Sequence, residues 1–200
     1  NRRPEFCSDA AERPEAVSMF IQTEETPNPT TLKFIPGREV MGTGTAEFKS
    51  AEESGRSPLA QRLFEVDGVD GVFLGGDFIA VSKSEMKDWQ VMKPAVLGAI
   101  MEHFTAARPV MLEDAVDDNS AREEDSEVVK QIRELLDTRV RPAVAQDGGD
   151  IVYEGFEDGV VMLSMRGACA GCPSATATLK MGVENMLRHY IPEVVEVRAV

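Results

Sequence analysis

Arg166-Gly167-Ala168-Cys169-Ala170-Gly171-Cys172-Pro173-Ser174 is the stretch whose residue types and spacing could hold a metal or run redox chemistry. Two cysteines three positions apart can present both sulfurs to one metal or to one edge of a cluster. Gly167, Ala168, Ala170 and Gly171 lack bulk, so the backbone can come close and its N–H groups can hydrogen-bond sulfur. Pro173 and Ser174 open a helix, which puts the thiols near its N-terminus, where the helix dipole favours the metal-binding thiolate.

Four chemistries compete for this pair. A thioredoxin-like thiol–disulfide oxidoreductase needs a βαβ setting and more chain; only 28 residues follow Cys172, and a hairpin precedes it. Structural zinc wants four ligands, and the only nearby addition is His189, about four helical turns further on and out of reach. The default place for His189 is the surface. A two-fold dimer would bring two identical pairs together, and four thiolates make the ligand set of an iron–sulfur cluster. The plainest alternative is two small packing residues, but those rarely come as a glycine-flanked pair at a helix start. Cys7, the third cysteine, has no partner at ligand spacing and reads as a bystander.

The elements around the pair form a regular series. Ser126 can cap a helix whose Val128, Val129, Ile132, Leu135, Leu136 and Val140 recur at three- and four-residue steps, with Pro142 as its stop. Asp147-Gly148-Gly149-Asp150 is a turn, and residues 151–156 and 160–165 make a hairpin across Glu157-Asp158-Gly159. A second helix carries Ala175, Leu179, Val183, Met186, Leu187 and Tyr190 on one stripe and stops at Pro192. Val194, Val195 and Val197 complete the set as a short strand. The order is helix, strand, strand, helix, strand.

Upstream, strand and helix signals alternate over residues 19–111. Phe20-Ile21-Gln22-Thr23 is strand-like, and Leu32-Lys33-Phe34-Ile35 is a strand bracketed by Thr26-Pro27-Asn28-Pro29 and Pro36-Gly37. Thr45-Ala46-Glu47-Phe48 is a weaker strand. Ser57-Pro58 begins a helix as cap and first residue. Residues 71–74 and 78–81 pair as a hairpin over Gly75-Gly76-Asp77. A long helix starts at Asp88 or only near Pro94, faces inward with Val96, Leu97, Ile100, Met101 and Phe104, and is stopped by Pro109. His103 on that helix reads as a surface or packed residue. No catalytic constellation is present, and Gly42-Thr43-Gly44 lacks the lysine and third glycine of a phosphate loop.

The charge separates the two regions. With 21 Lys and Arg against 35 Asp and Glu, the net charge is −14. Residues 112–127 hold eight acids and one base, so half of that charge lies in 16 residues. This stretch has no apolar periodicity and reads as a self-repelling, extended linker. The expected architecture is α+β: two small domains, 19–111 and 128–200, joined by the acidic linker 112–127. Residues 1–18 have no apolar h-region and include four acids, so they read as a disordered leader or tag rather than a secretory or transit signal. Such an acidic surface repels phosphate backbones and anionic lipids, so neither nucleic acid nor membrane is an expected partner. No apolar run reaches the ~18 residues of a membrane span. The low cysteine count points to a reducing, intracellular compartment.

Gln146-Asp147-Gly148-Gly149-Asp150-Ile151 followed by Gly167-Ala168-Cys169-Ala170-Gly171-Cys172-Pro173 resembles the C-terminal domain of NifU-like (Nfu-type) iron–sulfur scaffold proteins. Glu25-Thr26-Pro27-Asn28-Pro29-Thr30-Thr31-Leu32-Lys33-Phe34 is similar to the N-terminal Nfu domain found beside it in bacterial and mitochondrial members. The resemblance implies a protein without turnover of its own. It would hold a four-iron, four-sulfur cluster between the subunits of a homodimer, with Cys169 and Cys172 as ligands. Upstream assembly proteins would load it, and client iron–sulfur apoproteins would receive the cluster. A CxxC thiol–disulfide oxidoreductase is the alternative function. The bacterial cytoplasm is the expected compartment, with the mitochondrial matrix as alternative. A cluster shared across a small two-fold interface has no deep cavity to lock it in, so the site is expected to be exposed. The linker is expected to let the cluster domain swing while the N-terminal domain docks a partner or regulates.

Overall fold

The computed structural model describes residues 20–112, 126–170 and 173–200, apart from the side chains of 173–175. The leader with Cys7 and Met19, most of the acidic linker, and Gly171 and Cys172 lie outside the described residues. The fold is α+β, in two units of mixed helices and strands.

The N-terminal unit is a five-stranded antiparallel sheet in the order β1-β2-β5-β4-β3. Its strands are β1 (Gln22–Glu25), β2 (Thr31–Ile35), β3 (Ala46–Phe48), β4 (Val69–Leu74) and β5 (Ile79–Lys83). Two helices, α1 (Pro58–Phe64) and α2 (Trp89–Thr105), cover one face. The Ser57 hydroxyl accepts the Ala60 N–H at 3.1 Å and donates to the Val110 carbonyl at 2.6 Å, so one cap also ties the helix start to the end of the unit. Asp88 caps α2 through the Gln90 N–H at 2.8 Å. The helix therefore starts at the earlier of the two expected points, with Pro94 inside it. Near the helix start, the proline forfeits only the bond to the Gln90 carbonyl. Residues Phe34, Phe48, Leu59, Leu63, Val96 and Ile100 are fully buried between sheet and helices.

Two expectations need correction here, and a third is narrowed. The first strand begins at Gln22, and Phe20 is exposed. Met101 is 44% exposed, because its position on α2 turns past the edge of the apolar stripe. Of the two places expected for His103, surface or packed, the structure has the packed one: it is buried with its ring edge-on to Phe104.

The C-terminal unit keeps the expected order. Ser126 caps α3 (Glu127–Leu135), so the last two residues assigned to the linker belong to a helix start. Pro142 does not end this helix. A π turn over Leu136–Val140 widens the backbone just before the proline ring, and the chain continues as α4 (Arg141–Gln146). Next come β6 (Gly149–Glu157) and β7 (Val160–Gly167), antiparallel across the Asp158-Gly159 turn, then α5 (Pro173–Tyr190) and β8 (Glu196–Ala199). On α5, Val183 and Leu187 are buried, Leu179 and Met186 are partly buried, and Tyr190 is exposed at the end of its stripe. The last strand starts two residues later than expected, leaving Val195 exposed while Val194 and Val197 enter the core. β8 runs parallel to β7, from Val160↔Glu196 to Leu163↔Ala199, with α5 as the crossover. The βαβ setting that the sequence did not reveal is therefore present. No helix among the described residues is long and apolar enough to cross a membrane.

Candidate functional site

The Asp-Gly-Gly turn and the cysteine loop are two sides of one structure. Gly149 and Gly167 pair at the open end of the β6–β7 hairpin, and the Ala168 N–H donates to the Gly148 carbonyl at 3.1 Å. The Ala170 N–H closes a turn on the Gly167 carbonyl at 3.0 Å, and the Thr176 hydroxyl of α5 donates to the Cys169 carbonyl at 3.1 Å. Cys169 is thus bound at both ends. Its side chain is 5% exposed and belongs to the core of the C-terminal unit. The expectation of an exposed ligand is corrected for Cys169: its sulfur packs inward, over Gly149. Cys172, the other expected ligand, lies outside the described residues.

Gly149 and Gly167 have separate physical reasons to be glycine. A Cβ on Gly149 would stand 2.7 Å from both Cys169 Sγ and the Arg166 carbonyl oxygen. Gly167 has φ +67°, and a Cβ there would stand 2.7 Å from the Gly148 carbonyl and 3.0 Å from the Phe73 ring. Gly149→Ala should therefore push the sulfur out of its seat. Overpacking of this kind costs about 1–3 kcal/mol. Thermal melting should show the loss, and Gly182→Ala, where a Cβ meets nothing within 4 Å, is the control.

Beside the two glycines sits a buried ion pair. Asp150, 3% exposed, accepts from Arg141 Nε and Nη2, both at 2.9 Å, in a bidentate fork. Its hydrogen bond to Asp150 holds the Arg141 guanidinium above its ordinary range.

The N-terminal unit meets this same corner. Glu47 Oε1 accepts the Gly167 N–H at 2.9 Å, Thr45 Oγ1 donates to Asp150 Oδ2 at 2.6 Å, and Lys33 Nζ donates to the Gln146 carbonyl at 3.2 Å. Sequence reasoning brought the turn and the cysteine loop together but missed Arg141, Thr45, Glu47 and Phe73. A signal for two of these existed. Glu47 and Phe73 alternate with core residues on their strands, so they had to lie on the sheet's second face. His189 is exposed, far from the loop, and among the described residues no three His, Cys, Asp or Glu side chains converge on a metal position.

Comparison with known proteins covers nearly the whole chain. The family model "Scaffold protein Nfu/NifU N terminal" matches residues 21–107, and "NifU-like domain" matches residues 132–198. A human protein named NFU1 iron-sulfur cluster scaffold homolog, mitochondrial, is 50% identical over 194 residues, covering 96% of this chain and 76% of its own length. Its counterpart in Drosophila virilis is 52% identical over 92% of this chain and 62% of its own. NifU-like protein 4, mitochondrial, of Arabidopsis thaliana is 49% identical over 88% and 64%. The chain thus spans 62% to 76% of the length of these relatives. The solution NMR structure of a NifU-like protein from Saccharomyces cerevisiae aligns with 48% of this chain and 86% of its own at 26% identity and a TM-score of 0.43. On the sequence identity and the two matched regions, the chain belongs to the Nfu/NifU family.

Proposed function

We propose that the chain is an iron–sulfur cluster scaffold and carrier without catalytic turnover. Two copies hold one four-iron, four-sulfur cluster between them, each contributing Cys169 and Cys172, and pass it to client apoproteins. The observation that carries this reading is the seat of Cys169. The Asp-Gly-Gly turn and the cysteine loop pack as one unit, with glycine required where the sulfur lies. The donor set fits the cargo. Thiolates are the soft ligands that iron–sulfur clusters take, and the small residues flanking them leave room for sulfide. Two thiolates are half of four, so a second copy supplies the rest. Client thiolates can then replace one pair at a time. Upstream assembly proteins are the expected source of the cluster. With the linker's end moved back to the helix cap, the domain scheme is a docking or regulatory unit over 19–111, a linker over 112–125 and a cluster-binding unit over 126–200. The mitochondrial naming of the relatives favours the mitochondrial matrix over the bacterial cytoplasm.

Iron, acid-labile sulfide and subunit mass measured on one anaerobic sample test this reading. About two irons and two sulfides per chain, in a particle of two chains, are expected. A second reading draws on the β7–α5–β8 crossover, which gives the cysteine loop the strand–helix–strand setting of a dithiol oxidoreductase. A colourless monomer that reduces disulfides with a thioredoxin-type reductase would establish it instead.

A further inference from the structure

The five-stranded sheet has two faces, and its own helices cover one. On the other lie Lys33, Glu47, Phe73 and Ala80, alternating with core residues, together with Phe78 beside the β4–β5 turn. Phe73, Phe78 and Ala80 are 2%, 3% and 1% exposed, and Ala145 of α4 packs against them. This second face is therefore apolar at its centre and charged at its sides, and the C-terminal unit covers it. The covering part is the corner that seats Cys169. Glu47 holds the Gly167 N–H, Lys33 holds the Gln146 carbonyl, Thr45 holds Asp150, and the Phe73 ring fills the space over Gly167.

A shared cluster needs its thiolates turned toward a second chain. Cys169 instead packs against Gly149 and is 5% exposed, and the loop that carries it begins at Gly167. Glu47 and Phe73 hold the start of that loop from outside the C-terminal unit. We propose that the second sheet face is a reversible cap on the ligand loop of its own chain: docked, it holds the cluster-free protein closed, and loading of a bridged cluster requires it to lift. Because cap and loop belong to one chain, their effective concentration is high, and a few polar contacts around two phenylalanines suffice to hold the closed form without locking it. Lifting the cap uncovers Phe73 and Phe78, so a loaded protein presents an apolar surface that the empty one hides. The inference rests on the scaffold reading for its purpose, but the closed form is testable without it.

The test is iodoacetamide alkylation of Cys169 in the full, cluster-free chain under reducing conditions, followed by peptide mass spectrometry. Glu47→Ala removes the acceptor of the Gly167 N–H, and Glu47→Lys sets a cation against it. Losing a hydrogen bond to a charged group should speed alkylation roughly tenfold in the first variant and further in the second. Unchanged rates in folded variants would overturn the cap. Carbene footprinting of Phe73 and Phe78 in the unsubstituted chain, before and after loading with iron and sulfide, gives an arm that no variant can spoil. Labelling should rise on loading, and equal labelling of a loaded chain would also overturn the cap. A chain that takes up no iron or sulfide, yet alkylates faster as the Glu47 variants, would keep the cap and sink the scaffold reading instead.

Discussion

Serine in place of either Cys169 or Cys172 should strip the protein of its cluster and leave it monomeric. A four-ligand zinc site in a small domain binds with about 10–16 kcal/mol, or about 2.5–4 kcal/mol per ligand if shared evenly. In a site bridged by two chains, one substitution removes two ligands at once, so about 5–8 kcal/mol goes, a loss of about 10⁴-fold or more. Serine is a near-isostere with an oxygen that stays protonated and hard, so the effect isolates the sulfur. The measurement is iron and sulfide per chain with subunit mass, under anaerobic conditions. Cys7→Ser is the internal control and should retain both cluster and dimer. Because Cys169 is buried, its serine variant also puts a hydroxyl among apolar neighbours, so melting curves must accompany it. Retention of the cluster by the Cys169→Ser, Cys172→Ser double variant would defeat the reading.

Most of the elements were legible because each carries a local signal. Ser57-Pro58, Asp88 and Ser126 are caps whose bonds are local, and all three start helices where their chemistry indicates. The Asp158-Gly159 turn likewise sets its hairpin. The failures are of a different kind. Pro142 looks like a stop because a proline far from a helix start costs a hydrogen bond and crowds the preceding turn, and the wider π turn that admits it leaves no mark in apolar spacing. Parallel pairing of β8 depends on a strand 36 positions away, counted from Val197 back to its register partner Val161, and short segments do not declare direction.

The site divides along the same line. The cysteine pair and the glycines announced themselves by type and spacing. The contact between the two units did not, because a strand with both faces covered shows no polar side, and Phe73 and Ala80 simply looked like more core. The acidic linker also suggested independence. It can tether units that touch as readily as units that swing, and charge patterning alone does not distinguish the two.

Arg141→Ala carries the largest stability cost expected outside the cysteines. Alanine leaves the Asp150 carboxylate buried, with the Thr45 hydroxyl still donating to it. Breaking a buried pair from one side costs about 3–5 kcal/mol. The Arg141 side chain is 37% exposed, so water can enter where the guanidinium leaves, and the lower end, about 3 kcal/mol, is the value to expect. For a chain of this size that is a fall in Tm of about 6–12 °C. Arg141→Lys should fall between, since an ammonium restores the charge without the two-pronged geometry. Asp150→Asn placed on top of Arg141→Ala should recover part of the loss, because it removes the stranded charge rather than a contact. Asp150 directly follows Gly149, so a loosened Asp150 frees the floor on which Cys169 rests, and alkylation of that thiol should speed up together with the fall in Tm. A normal Tm in Arg141→Ala would mean that the fork contributes nothing, and that the glycines alone seat the sulfur.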